Sequence, residues 1–154
     1  MLIGVISDTH GLMRPEALQA LTDTQLIIHA GDVGDPGILD ALRKIAPVVA
    51  VRGNVDKGDW ASALPEYELI KEGEVSIYVL HDVNQLDLDP AAAGIQAVIS
   101  GHSHKPSIRT DRGVLYLNPG SAGPRRFNLP VSVARLHLSG KRLEAERIDL
   151  VDTI

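Results

Sequence analysis

The chain has 154 residues, 44% of them hydrophobic, and a formal net charge of −5. That length suits one domain, residues 1–154, with a substantial core, and the negative balance without any lysine/arginine block argues against an extended nucleic-acid surface. There is no cysteine, which excludes a disulfide framework and a thiolate metal site, so any metal must be held by imidazole, carboxylate, amide or water.

The first ten residues, MLIGVISDTH, lack a basic leader, and their apolar run stops at Asp8. The expectation is no signal peptide, no membrane partner and a cytoplasmic protein, since no apolar stretch approaches membrane-spanning length. LIGVIS, residues 2–7, is the first of six apolar runs, each followed by polar residues and glycine. After it, PEALQAL predicts a short helix, and LIIHA, residues 26–30, leads into GDVGD. DPGILDALRKIA predicts a longer helix: Asp35 caps it, Pro36 opens the first turn, and Ile38, Leu39, Leu42 and Ile45 recur at helical spacing before Pro47. VVAV then runs into RGNVD, and VSIYVL, residues 75–80, into His81-Asp82. DPAAAG, residues 89–94, predicts another short helix. AVIS follows and leads into GHSH, and VLYL into NPGS. Unbroken apolar runs suit strands covered on both faces. VSVARLHL and KRLEAERIDL, joined at Ser139-Gly140, predict a C-terminal hairpin, so the fold class is a layered α/β domain.

In an open α/β sheet, ligands bind beyond the carboxyl ends of the strands. If the runs are mostly parallel, Asp8, His10, Asp32, Asn54, His81, His102 and His104 gather at one rim. In extended backbone, residues two apart face one side, so Asp8 with His10 and His102 with His104 each offer a pair of ligands. Seven candidates exceed the needs of one tetrahedral ion and fit two divalent ions sharing a carboxylate, for which Asp32 is the natural bridge. So nitrogen-rich a set points to a transition metal: manganese is the working choice, and iron, zinc, cobalt or nickel also fit.

The order D-x-H, GD, GN, H, GHxH, each element at a strand end, resembles the calcineurin-like metallophosphoesterase superfamily, and within it the small single-domain bacterial and archaeal phosphodiesterase branch. The motifs cover residues 2 to about 122. The resemblance implies a layered β-sandwich of two mixed sheets flanked by α-helices. It implies one metal held by Asp8, His10, Asp32 and His104 and a second held by Asp32, Asn54, His81 and His102. It further implies a small phosphoester substrate, a diester before a monoester, attacked in line by a hydroxide bridging the ions. Asp32, Asn54 and Asp56 are read as the catalytic residues, Asp56 supporting the site through a hydrogen bond to a ligand or a metal-bound water. Two rivals stand beside it: a catalytically weak protein-binding scaffold, as the retromer subunit of this branch is, and another binuclear metallohydrolase. A homo-oligomer is left open.

Two positions depart from the family pattern. Where many members carry a proton-donating histidine after GN, this chain has Val55, which implies a preference for leaving groups of low pKa. Asp82 stands where glycine is common and either repels an anionic substrate or turns aside to support a ligand. Of the remaining residues, His29 reads as a buried hydrogen-bonded histidine and His137 as solvent-facing. Arg52 is read as either a site residue or the partner of a structural carboxylate. Arg125 and Arg126 are read as a solvated loop before a phosphate contact, and Asn118 to Ser121 as a turn that shapes the pocket. One tryptophan and one phenylalanine provide no platform for stacking successive bases.

Overall fold

The computed structural model describes residues 1–150. All six apolar runs are strands, and they divide into two sets of three parallel neighbours. β1 (Leu2–Ile6), β2 (Leu26–His29) and β3 (Val48–Ala50) lie side by side, in register at Ile3 with Leu26 and at Ile27 with Val48. β5 (Val75–Leu80), β6 (Ala97–Ile99) and β8 (Val114–Asn118) do the same in the other sheet, with β4 (Tyr67–Glu72) and β7 (Ser107–Asp111) as antiparallel edges. The predicted hairpin, β9 (Ser132–Ser139) and β10 (Arg142–Asp149), joins the first sheet against β1. Each sheet is therefore mixed and five-stranded, in the orders β10-β9-β1-β2-β3 and β4-β5-β6-β8-β7.

The alternation of side chains assigns each apolar run to two cores at once. Ile3, Val5 and Ile28 meet Ile77, Val79 and Ile99 between the sheets. Ile6 and Ile27 pack outward against α1 (Pro15–Ala20) and α2 (Pro36–Arg43) through Ala17, Leu39 and Leu42. Each such aliphatic side chain contributes about 1.5–3 kcal/mol by leaving water. The outer face of the second sheet, with Tyr78, Leu80 and Val98, is covered by Val83, Leu86 and Leu88 rather than by an α-helix. α2 starts as expected, with Asp35 accepting from the Gly37 N–H at 2.8 Å and Pro36 in the first turn.

One local expectation fails. Residues 89–94 form a turn closed by Ala93 N–H to Asp89 and Ile95 N–H to Pro90, because too few residues lie between Pro90 and the left-handed Gly94 (φ 74°) to nucleate a helix. The edge strands YELIKE and SIRTD escape the apolar-run criterion because an edge leaves side chains in water, and every residue of β7 is exposed. Among the described residues, no helix is long and apolar enough to cross a membrane.

Candidate metal centre

The loops that leave β1, β2, β5 and β6 meet at one rim, joined by backbone hydrogen bonds. Asp8 N–H donates to Gly31 and His10 N–H to Asp32, each at 3.0 Å, and Gly101 N–H donates to His81 at 2.9 Å. This contact leaves no room for side chains beneath the ligands: a Cβ on Gly31 would meet the His81 ring at 2.6 Å, and one on Gly101 would meet Asp8 Oδ2 at the same distance.

Five of the seven candidate ligands do not sit on extended backbone. Asp8 (φ 55°), His10 (47°), Asp32 (55°), His102 (72°) and His104 (63°) all occupy the left-handed region, five of the eight non-glycine residues that do so among those described. Each such residue costs of order 1–3 kcal/mol, an outlay that the interlocked loops sustain. The expected extended backbone is therefore corrected for both pairs, although Asp8 and His10 still converge, Oδ1 to Nε2 at 3.8 Å. The chain turns sharply at each ligand, and His102 and His104 part company: His104 is buried against Asp8, while the His102 side chain is 45% exposed.

Two carboxylates organise the centre. Asp8 turns Oδ2 away to accept from Ser7 Oγ at 2.8 Å and His102 N–H at 3.1 Å. Its Oδ1 lies 3.5 Å from His104 Nε2, 3.8 Å from His10 Nε2 and 3.9 Å from His81 Nε2. Asp32 likewise gives Oδ1 to the Val55 N–H, and its Oδ2 lies 3.1 Å from His81 Nε2 and 3.7 Å from His10 Nε2. His81 is aimed by its other nitrogen, Nδ1–H donating to the Ala30 carbonyl at 2.7 Å. Burial works to raise both carboxyl pKa values, but the neighbouring imidazoles, with Ser7 at Asp8 and the Val55 N–H at Asp32, outweigh it and hold both below the ordinary range. For His81 burial is likewise overcome, here by Asp32 and Asp8, and its pKa is raised.

This donor set fits cations. Asp8 Oδ1, His10 Nε2, His81 Nε2 and His104 Nδ1 are buried with no group in hydrogen-bonding geometry. Leaving four such atoms unmatched is costly. Ligand atoms lie within 4.8 Å of one another in two groups, Asp8-His10-His104 and Asp8-Asp32-His81. Asp8 is common to both, and Asp32 reaches His10 as well as His81, so two carboxylates, where one was expected, stand between the groups.

The family model of the calcineurin-like phosphoesterase superfamily domain matches residues 1–141. The chain belongs to that superfamily. It is 42% identical over 159 residues to a probable metallophosphoesterase of Methanothermobacter thermautotrophicus, covering 96% of this chain and 92% of the relative. Among solved structures it is similar to a novel archaeal phosphodiesterase (TM-score 0.82, 21% identity, 97% of this chain and 100% of the other). It is also similar to wild-type Vps29 of Entamoeba histolytica complexed with Zn²⁺ (TM-score 0.76, 27% identity, 97% and 99%).

In this calcineurin-like phosphoesterase domain, Asn54 and His102 form the outer rim, with His102 Nδ1 3.3 Å from Asn54 Oδ1 and its ring edge-on to His81 at 5.2 Å. Asp56 lies behind the ligands. Its carboxylate accepts from the N–H groups of Val33, Gly34 and Gly53, tying the loop of Asp32 to that of Asn54. Asp82 turns aside: Oδ1 caps the following turn at Asn84 N–H, and Oδ2 stands 3.8 Å from His102 Nε2. Arg52 pairs with Glu66 at 3.0 Å. His137 is half-exposed beside Glu146, and Arg126 is near enough to His104 to help depress its pKa, after burial.

His29 is fully buried and neutral. Gly31 N–H donates to its Nδ1 at 3.1 Å, so Nε2 carries the proton and donates to Thr9 Oγ1 at 3.0 Å, and Thr9 donates to the Val33 carbonyl. Burial pushes its pKa down to about 4. Sequence reasoning missed Ser7 as a support of the centre, its position beside Asp8 being the one available signal; Asn118, read as part of a pocket-shaping turn, donates its amide to Gly101 O and Ser103 Oγ and so holds the GHSH loop.

Proposed function

We propose that this protein is a binuclear metal-dependent phosphoesterase that cleaves diesters in preference to monoesters. The convergence of three buried, unmatched ligand atoms, Asp8 Oδ1, His10 Nε2 and His81 Nε2, with Asp32 Oδ2 and His104 Nε2 carries the reading. Asp8, His10, Asp32, His81 and His104 would hold the ions, with Asn54 and His102 closing the outer side. When bound, such ions supply positive charge against a phosphoryl oxygen and acidify a water at neutral pH.

The chain's own residues set the substrate. Val55 is 42% exposed beside Asn54 and offers no proton, so an ester oxygen must depart as a stable anion. Asp82 at the rim suits a diester with one negative charge better than a monoester with two. Asp56 takes no part in proton transfer and keeps the loops of Asp32 and Asn54 in register.

The test is to strip the protein, reload it with manganese, zinc, iron, cobalt or nickel, and measure ions per chain together with hydrolysis of bis(p-nitrophenyl) phosphate and p-nitrophenyl phosphate. Two ions per chain and faster diester cleavage are expected. A chain that takes up no ion and cleaves neither ester overturns the reading and leaves the protein-binding scaffold.

A further inference from the structure

A groove of about 530 Å³ opens directly beside the centre, sharing His81 and Asn54 with it. Its volume lies within the range of small-molecule sites, about 300–1,000 Å³. It runs along the outer face of β4 and β5, where the register sets Tyr67 opposite Leu80 and Leu69 opposite Tyr78. Tyr67 and Tyr78 therefore project on one face as a diagonal pair, and their rings stack with centroids 5.9 Å apart and planes 23° from parallel. Two of the chain's three tyrosines build this wall. Tyr78 is buried beneath, and Tyr67 is 61% exposed. The wall is rigid because Tyr78 is packed with Leu80, Ile95 and Val98.

The charges along the groove select against anions. Glu66, Asp82 and Asp87 line it against Arg52 and Lys57, and Arg52 is already held by Glu66. An aromatic face next to a phosphoryl-transfer centre, in a field of net negative sign, suits a planar group without negative charge.

We infer that this groove is the subsite for one ester arm of the substrate, and that the arm is an uncharged aromatic group of nucleoside size lying on Tyr67. The inference rests on the phosphoesterase reading and names its substrate class. One exposed aromatic face holds one base, in keeping with the lack of a platform for a longer strand. Stacking a base on an aromatic side chain strengthens binding roughly 5- to 150-fold. The second phosphate of a polynucleotide would meet Asp82 and Asp87, so a mononucleoside arm is favoured over an extended chain.

The experiment uses uridine as a probe, titrated into zinc-loaded protein and followed by amide chemical shifts, alongside hydrolysis of bis(p-nitrophenyl) phosphate by the same sample. Uridine is expected to shift resonances of residues lining the groove. It should bind roughly tenfold more weakly to Tyr67→Ala, and Tyr67→Phe should retain the wild-type affinity. Orotidine, which adds a carboxylate to the same base, is expected to bind more weakly than uridine. Absence of shifts at the groove, or equal uridine affinity of Tyr67→Ala and wild type, overturns the subsite even if the diester is cleaved. Uridine binding without cleavage of the diester under any ion keeps the subsite and overturns the phosphoesterase reading instead.

Discussion

Val55 and Asp32 are joined through the backbone: the Val55 N–H donates to Asp32 Oδ1 at 2.9 Å, which leaves Oδ2 to face His81 at 3.1 Å and His10 at 3.7 Å. A residue with no chemistry in its side chain thus orients the carboxylate that the site depends on. The link also makes the two positions separable by mutation, because any residue at 55 other than proline retains the N–H.

Asp32→Asn keeps an oxygen for the Val55 N–H and removes the charge at Oδ2, so it weakens both halves of the centre. Diester hydrolysis should fall roughly 10³-fold, and His10→Ala at saturating metal should fall by about 10², reflecting loss of one ligand from one half. Equal residual rates in the two variants would count against a shared role for Asp32.

Val55→His places an imidazole at the exposed rim without disturbing the N–H to Asp32. Turnover of esters with poor leaving groups should rise roughly tenfold or more, with little gain for p-nitrophenyl esters, since general-acid catalysis acts on the departing oxygen. A series of aryl and alkyl diesters checks this through its dependence on leaving-group pKa. An unchanged dependence would show that another step limits the rate.

Asp56→Ala strands three N–H groups, those of Val33, Gly34 and Gly53, that no longer have an acceptor. Stability should drop by roughly 2–4 kcal/mol, and Asp56→Asn, which retains one oxygen acceptor, should lose less. Urea unfolding of the metal-depleted proteins measures both. Metal affinity should follow the same order, because the three amides flank Asp32 and Asn54.

His29 links folding to pH. Its folded pKa of about 4 lies below the model-peptide value of 6.5, so the unfolded chain binds the extra proton. The stabilisation is fully present above pH 6.5 and is lost as the pH falls toward 4, by up to about 3 kcal/mol. His29→Gln abolishes this component. Unfolding free energies of the metal-depleted wild type and variant should therefore converge as the pH is lowered from 7.5 to 5. A difference independent of pH would mean that His29 titrates alike in both states.

The elements that face apolar surroundings were legible from order alone. LIIHA and VSIYVL could only be strands covered on both sides, Asp35-Pro36 could only open a helix, and the polar residues behind each run marked the rim where Asp8, Asp32, His81 and His104 meet. YELIKE and SIRTD were opaque because edge strands are held by backbone pairing, which leaves no apolar signature.

Residue order determined which ligand types this protein carries and that each stands directly behind an apolar run, since the run of apolar residues and the polar cluster after it are local features of the chain. Only the tertiary structure decided which atom of each ligand faces inward, that His104 is enclosed while His102 stands at the rim, that Asp56 braces loops, and that Tyr67 lies on Tyr78 beside the centre. Those outcomes depend on left-handed turns and cross-strand register, which are fixed when the two sheets pack and which no short stretch of sequence specifies.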